Sequence, residues 1–177
     1  MPTVSEQQQI RDAELVERAS AGSADALGAL YDRYAAGVHR LACSLLRSAA
    51  EAEDVVQDVF LGLPRALRSY ANRGPLEAWI QRVAARTVLM RMRVHRRRRE
   101  DALVADAAPP ARGESPVDRV ALERALAALP DALRVVFVLK VVEGYSHDEV
   151  AALVGITPET SRVRLFRARK ALQDLLS

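Results

Sequence analysis

The chain has 177 residues, half of them apolar and 28% charged, with aromatics at only 5% and a net charge of +3. Leu, Ala and Val supply most of the apolar share, which favours helix-on-helix packing, and this length buries one modest core or two small ones. No apolar run approaches the roughly 18 residues that cross a bilayer, so membrane insertion is excluded. The opening Met-Pro-Thr-Val-Ser-Glu lacks both parts of a signal peptide, and the single Cys43 excludes an internal disulfide, so a reducing cytoplasm is the expected location.

The small net charge conceals an uneven distribution. Residues 1–64 carry 5 basic and 10 acidic groups, residues 65–100 carry 11 and 2, residues 101–154 carry 5 and 9, and residues 155–177 carry 5 and 2. Two basic blocks, each beside an acidic one, point to two places that meet a polyanion. On charge alone, a solvated charged face is the competing reading.

Residues 11–21 read as a short helix stopped by Gly22. Ser23 can cap the next, whose core stripe runs through Leu27, Leu30, Tyr31, Tyr34, Val38, Leu41 and Leu45. The spacing of Val55, Val56, Val59, Phe60, Leu63, Leu67 and Tyr70 predicts a helix over 50–70, with a kink or a break at Pro64. Asn72-Arg73-Gly74-Pro75 is a loop, and Pro75 suits the first turn of a helix reaching about Arg99. Along that helix Leu76, Ile80, Val83, Thr87, Met90 and Val94 stay within about 80° and predict the buried stripe. Arg82, Arg86, Arg93 and Arg97 cluster within about 60° beside it, with Trp79 on the border. A guanidinium row flanked by an indole suits a nucleic-acid backbone with an unstacked base, and Asn72 and Arg73 are placed to meet such a base.

Residues 100–115, with Pro109-Pro110, have no helical period and predict an extended linker. Beyond it, Ser115-Pro116-Val117-Asp118 reads as a helix start, followed by helix to about Ala128 and another from Pro130 to Gly144. Ser146-His147-Asp148-Glu149 is a capping box, Gly155 a stop, and Thr157-Pro158 the next start. The expected fold is all-α: a helical domain over 1–99, the linker, and a second small domain over 116–177. Within the latter, residues 146–172 match a helix-turn-helix. Its second helix buries Ser161, Leu165, Ala168 and Leu172 and presents Arg162, Val163, Phe166 and Arg167 outward. An outward Phe suits a thymine methyl, arginines 162 and 167 suit guanine edges, and Arg164, Arg169 and Lys170 suit phosphates.

No convergent acid, base or nucleophile is present, because His39, His95 and His147 sit in three segments, and there is no glycine-rich phosphate loop. No catalytic residue, cofactor or metal is therefore expected. His39 and Cys43 share a helix face at a spacing of four, yet two ligands fall short of the four that a structural zinc site takes. The acidic start of the helix over 50–70 (Glu51, Glu53, Asp54, Asp58) either favours the helix dipole or docks a basic partner helix.

At these residues the chain resembles a known family. Glu51-Ala-Glu-Asp-Val-Val-Gln-Asp-Val-Phe60, Glu77-Ala-Trp-Ile-Gln-Arg-Val-Ala84, Leu129-Pro130, Glu143-Gly-Tyr-Ser146, Glu149-Val-Ala151 and Thr160 through Leu172 are similar to segments of extracytoplasmic-function sigma factors of bacterial RNA polymerase. The resemblance implies a transcription initiation factor that recruits core polymerase and helps melt promoters. It assigns Asp54, Val55, Gln57, Asp58, Phe60 and Leu61 to the clamp helices of the β′ subunit. Asn72, Arg73, Trp79, Arg82, Arg86, Arg93 and Arg97 would hold the minus-10 element, and Ser146, Thr160, Arg162, Val163, Arg164, Phe166 and Arg167 the minus-35 element. It also implies β-subunit contact, an anti-sigma partner, and a linker threaded toward the polymerase active centre. Arg86, Leu63-Pro64, Ser161 and Val163 depart from residues common in the family. The rival reading is a helix-turn-helix regulator that never joins polymerase.

Overall fold

Glycine and serine set the first corner of the chain. Gly22 takes φ +92° after α1 (Val4–Ser20), and Ser23 then accepts a bond from the Ala26 amide at 3.4 Å to start α2 (Ala24–Leu45). There follow α3 (Ala49–Leu67), α4 (Leu76–Ala102), α5 (Val117–Ala128), α6 (Asp131–Phe137) running into a π-helical turn (Val138–Val142), α7 (His147–Val154) and α8 (Pro158–Leu176). This computed structural model describes the backbone of residues 4–70, 74–102 and 117–176 and the side chains of 11–70, 74–98 and 121–176. Among the described residues there is no strand, and the all-α expectation holds. Most of the predicted linker, the helix start at Ser115–Pro116, and Asn72 and Arg73 lie outside them.

The chain divides into two units, one of residues 1–42 and 49–88, the other of residues 43–48 and 89–177. In the first, α1 packs on α3. The buried Asp12 of α1 accepts from the Tyr34 hydroxyl at 2.7 Å and from Arg33, tying α1 to α2. A Cβ at Gly37 would lie 2.6 Å from the Gln81 amide nitrogen, so α4 seats that side chain against bare α2 backbone. The core gathers Leu30, Val38, Val55, Leu63, Leu76 and Ile80.

Three expectations for this unit change. Leu27 is only half-buried and Tyr31 is exposed, so both leave the predicted stripe of α2. Helix α3 runs through Pro64 as one element, so the break does not occur; the proline sits in the last turn, where the single i−4 bond it forgoes interrupts little remaining helix. On α4 the buried residues are Leu76, Ile80, Ala84, Ala85, Val88 and Leu89, whereas Met90 is 62% exposed and Val94 is exposed too. The core face is rotated onto the alanines, because small side chains let helices approach closely.

In the second unit α5, α6 and α7 all pack on α8, the first two around Ala125, Leu129, Ala168 and Leu172. Arg134 is buried among them. Its Nε and Nη2 donate to the carbonyl of Leu45 at 3.2 and 3.0 Å, and Nη2 also reaches Asp131 at 2.7 Å. Leu45 ends α2, so this guanidinium satisfies a carbonyl that the helix itself leaves open. Burial pulls the Arg134 pKa below its usual value, opposed by the adjacent Asp131 carboxylate. The predicted helix from Pro130 loosens midway: the Glu143 amide bonds the Val138 carbonyl five residues back at 3.0 Å, before Gly144 turns out at φ +77°.

Candidate nucleic-acid interface

The helix-turn-helix is fixed by its caps. Ser146 Oγ accepts from the Glu149 amide at 3.2 Å while Glu149 Oε2 accepts from the Ser146 amide at 2.9 Å, the reciprocal box read from the sequence. Gly155, at φ +78°, sends its amide to the Ala151 carbonyl at 2.9 Å and ends α7. Thr157 Oγ1 then accepts from the Thr160 amide at 3.1 Å to open α8. These caps define the turn and the orientation in which α8 crosses α7.

That orientation buries Ser161, Leu165, Ala168 and Leu172, the four predicted. Arg162, Val163, Phe166 and Arg167 are exposed, and Phe166 is 70% open to solvent. An aromatic on the outside of a well-packed helix contributes little to folding and becomes a strong anchor only where a partner buries it. Arg162 pairs with Glu159 at 3.1 Å; Arg164 and Thr160 are half-buried; Ser146 is exposed at its cap. Behind the interface, half-buried His147 places Nδ1 2.9 Å from Ser161 Oγ. Burial lowers the His147 pKa, as do the cationic Lys140 and Arg162.

On the first unit, Asp54, Gln57 and Asp58 line the outer face of α3, and Leu61 is 81% exposed at its edge. Phe60 is half-buried and meets the ring of Tyr31 edge-on, centroids 4.9 Å apart. Val55, read into this face from the resemblance, is 0% exposed and belongs to the core beneath it. Sequence reasoning missed the α2 side of the same surface: Leu27, Gly28 and Tyr31 join Gln57, Phe60 and Leu61 around a shallow groove of about 420 Å³. Their helical spacing read as core, and only the short Gly28 beside Tyr31 signalled otherwise.

The basic row of α4 is only partly available. Trp79 is half-buried and packs at 5.2 Å against Tyr70, whose hydroxyl donates to the Gly74 carbonyl at 2.8 Å. Arg82 and Arg86 are exposed in the first unit. In the second, Arg97 is exposed while Arg93 donates through Nη2 to the carbonyls of Leu153 and Val154, both at 3.2 Å, at the end of α7.

Residues 30–98 match the family model of sigma-70 region 2, and residues 119–172 that of sigma-70 region 4. Over 93% of its length the chain is 31% identical to the ECF RNA polymerase sigma factor SigM of Mycobacterium tuberculosis, 84% of which is covered. The chain belongs to the extracytoplasmic-function sigma factors.

Similar proteins also include the RNA polymerase sigma factor CarQ of Myxococcus xanthus, 32% identical over 91% of this chain and 95% of that one. Among solved structures, the sigma factor RpoE in complex with the anti-sigma factor NepR from Bartonella quintana has a TM-score of 0.65 at 25% identity, covering 84% of this chain and 95% of that one. CnrH in complex with the cytosolic domain of CnrY has a TM-score of 0.60 at 28% identity, covering 93% and 96%. This sigma factor is therefore a non-enzymatic transcription initiation factor that binds core RNA polymerase and directs it to promoters. A plain regulator would need the helix-turn-helix alone, whereas the match extends through residues 30–98. No described helix is long and apolar enough to cross a membrane.

Proposed function

We propose that this sigma factor divides its work between residues 1–99 and 116–177. The face of Asp54, Gln57, Asp58, Phe60 and Leu61, extended by Tyr31, docks the β′ clamp helices, with Val55 supporting it from beneath. Arg82, Arg86 and Arg97, with Trp79 and the loop residues Asn72 and Arg73, hold the minus-10 strand; Arg93 joins them on releasing α7. The outward face of α8 reads the minus-35 element through Arg162, Val163, Phe166 and Arg167, backed by Ser146, Thr160 and Arg164.

The carrying observation is Phe166, exposed between arginines on a helix whose other face is fully packed. The factor acts in the cytoplasm, where polymerase and chromosome meet, and an anti-sigma protein holds it when idle, as the RpoE relative is held by NepR. Run-off transcription with purified core tests the assignment. Arg167→Ala should abolish transcription while co-purification with core is retained. Loss of core binding in that variant would overturn it.

A further inference from the structure

Ser161 is a hydroxyl at 0% exposure in a row otherwise made of Leu165, Ala168 and Leu172. Its side chain meets one polar group, the imidazole Nδ1 of His147 at 2.9 Å, on the first residue of α7. A buried hydroxyl without a partner is costly, so the pair fixes both side chains and with them the seat of α8 on α7. The bond survives either protonation state. Neutral imidazole accepts from the hydroxyl through Nδ1, and imidazolium donates through Nδ1–H to the hydroxyl oxygen.

The charges around the ring are set by three elements. Lys140 comes from the π-helical turn, Arg162 and Arg169 from α8, and only Asp148 of α7 is of opposite sign. In the free protein burial and the three cations disfavour the charged ring. Resting on the reading of α8 as the minus-35 helix, we propose that the His147–Ser161 pair is a proton-linked positioning element: DNA binding draws a proton onto His147, and promoter affinity rises as pH falls. The reason is electrostatic. DNA laid against Arg162, with its phosphates at Arg169, offsets the cations that disfavour imidazolium, and the extra positive charge then faces a polyanion. By linkage, whatever DNA does to the proton, the proton does to DNA.

The test uses holoenzyme reconstituted with core polymerase and a duplex selected by that holoenzyme from a random pool, with affinity measured between pH 8.5 and 5.5. Wild type should tighten about three- to tenfold, corresponding to a pKa rise of half to one unit on binding. His147→Gln keeps a donor toward Ser161 but cannot charge, so its affinity should be flat relative to wild type. Equal slopes for the two overturn the proposal. The imidazole resonance of His147, followed by NMR titration of the full chain with and without the same duplex, gives an independent reading; an unchanged midpoint also overturns it. Arg167→Ala separates the underlying reading: if that variant binds DNA as wild type does, the assignment of α8 fails. If it binds weakly while the His147 slopes coincide, only the proton linkage fails.

Discussion

Tyr34 donates its hydroxyl to Asp12 at 2.7 Å, and the same carboxylate takes the Arg33 guanidinium on its other oxygen, so one α1 side chain closes two α2 donors. Burial first, then the bond to Asp12 and its negative charge, push the Tyr34 pKa up to about 12 from its usual value of 10.0. A raised phenol pKa favours the protonated form in the fold. The contribution is therefore complete below pH 10 and disappears as pH climbs toward 12. Denaturation profiles of wild type and Tyr34→Phe should converge across that window. At neutral pH the variant should lose about 2 kcal/mol, from one buried hydrogen bond to a charged acceptor.

Arg134 makes a sharper prediction because nothing replaces it. Arg134→Met keeps the length of the stem but leaves the Leu45 carbonyl without its two donors and Asp131 without its 2.7 Å partner. A loss of about 2–4 kcal/mol is expected. Urea denaturation monitored by circular dichroism measures it, and a change under 1 kcal/mol would show that the guanidinium is dispensable.

Sequence alone made α8 readable because its caps and its apolar period agree: Thr157 starts it, and Leu165, Ala168 and Leu172 keep one face. On α4 the same method follows the bulky Val83, Met90 and Val94, yet Ala84 and Ala85 carry the packing. Alanine adds little hydrophobic weight to a pattern while permitting the closest helix approach, so the stripe is drawn about a quarter-turn off. Arg134 was unreadable for another reason. Its acceptor is a backbone carbonyl 89 residues earlier, and every residue has a carbonyl. The Leu27–Tyr31 edge escaped because an exposed apolar groove has the same period as an apolar core.

The reciprocal box at Ser146 and Glu149 can be dissected by single substitutions. Ser146→Ala removes the acceptor of the Glu149 amide, and Glu149→Ala the acceptor of the Ser146 amide. Each should destabilise the helix-turn-helix unit by about 1 kcal/mol. Because α7 sets the seat of α8, promoter affinity should fall alongside the melting temperature, whereas binding to core polymerase should hold. Stability lost with no change in DNA binding would mean that α8 keeps its place without the cap.

Leu61 separates docking from folding more cleanly than any core position. At 81% exposure it packs too little to matter for stability, and substitutions at such sites usually stay within about 0.5 kcal/mol. Yet it borders the groove shared with Leu27, Tyr31 and Phe60, where a partner would desolvate it. Leu61→Asp should leave the melting temperature unchanged and weaken association with core polymerase at least tenfold, a cost of about 1.4 kcal/mol. Val55→Ala should do the opposite: its side chain is sealed in the core, so the variant loses stability first and binds core normally below its unfolding transition. Surface plasmon resonance against immobilised core, run beside thermal melts, distinguishes the two; comparable affinity loss in both variants would return Val55 to the docking face.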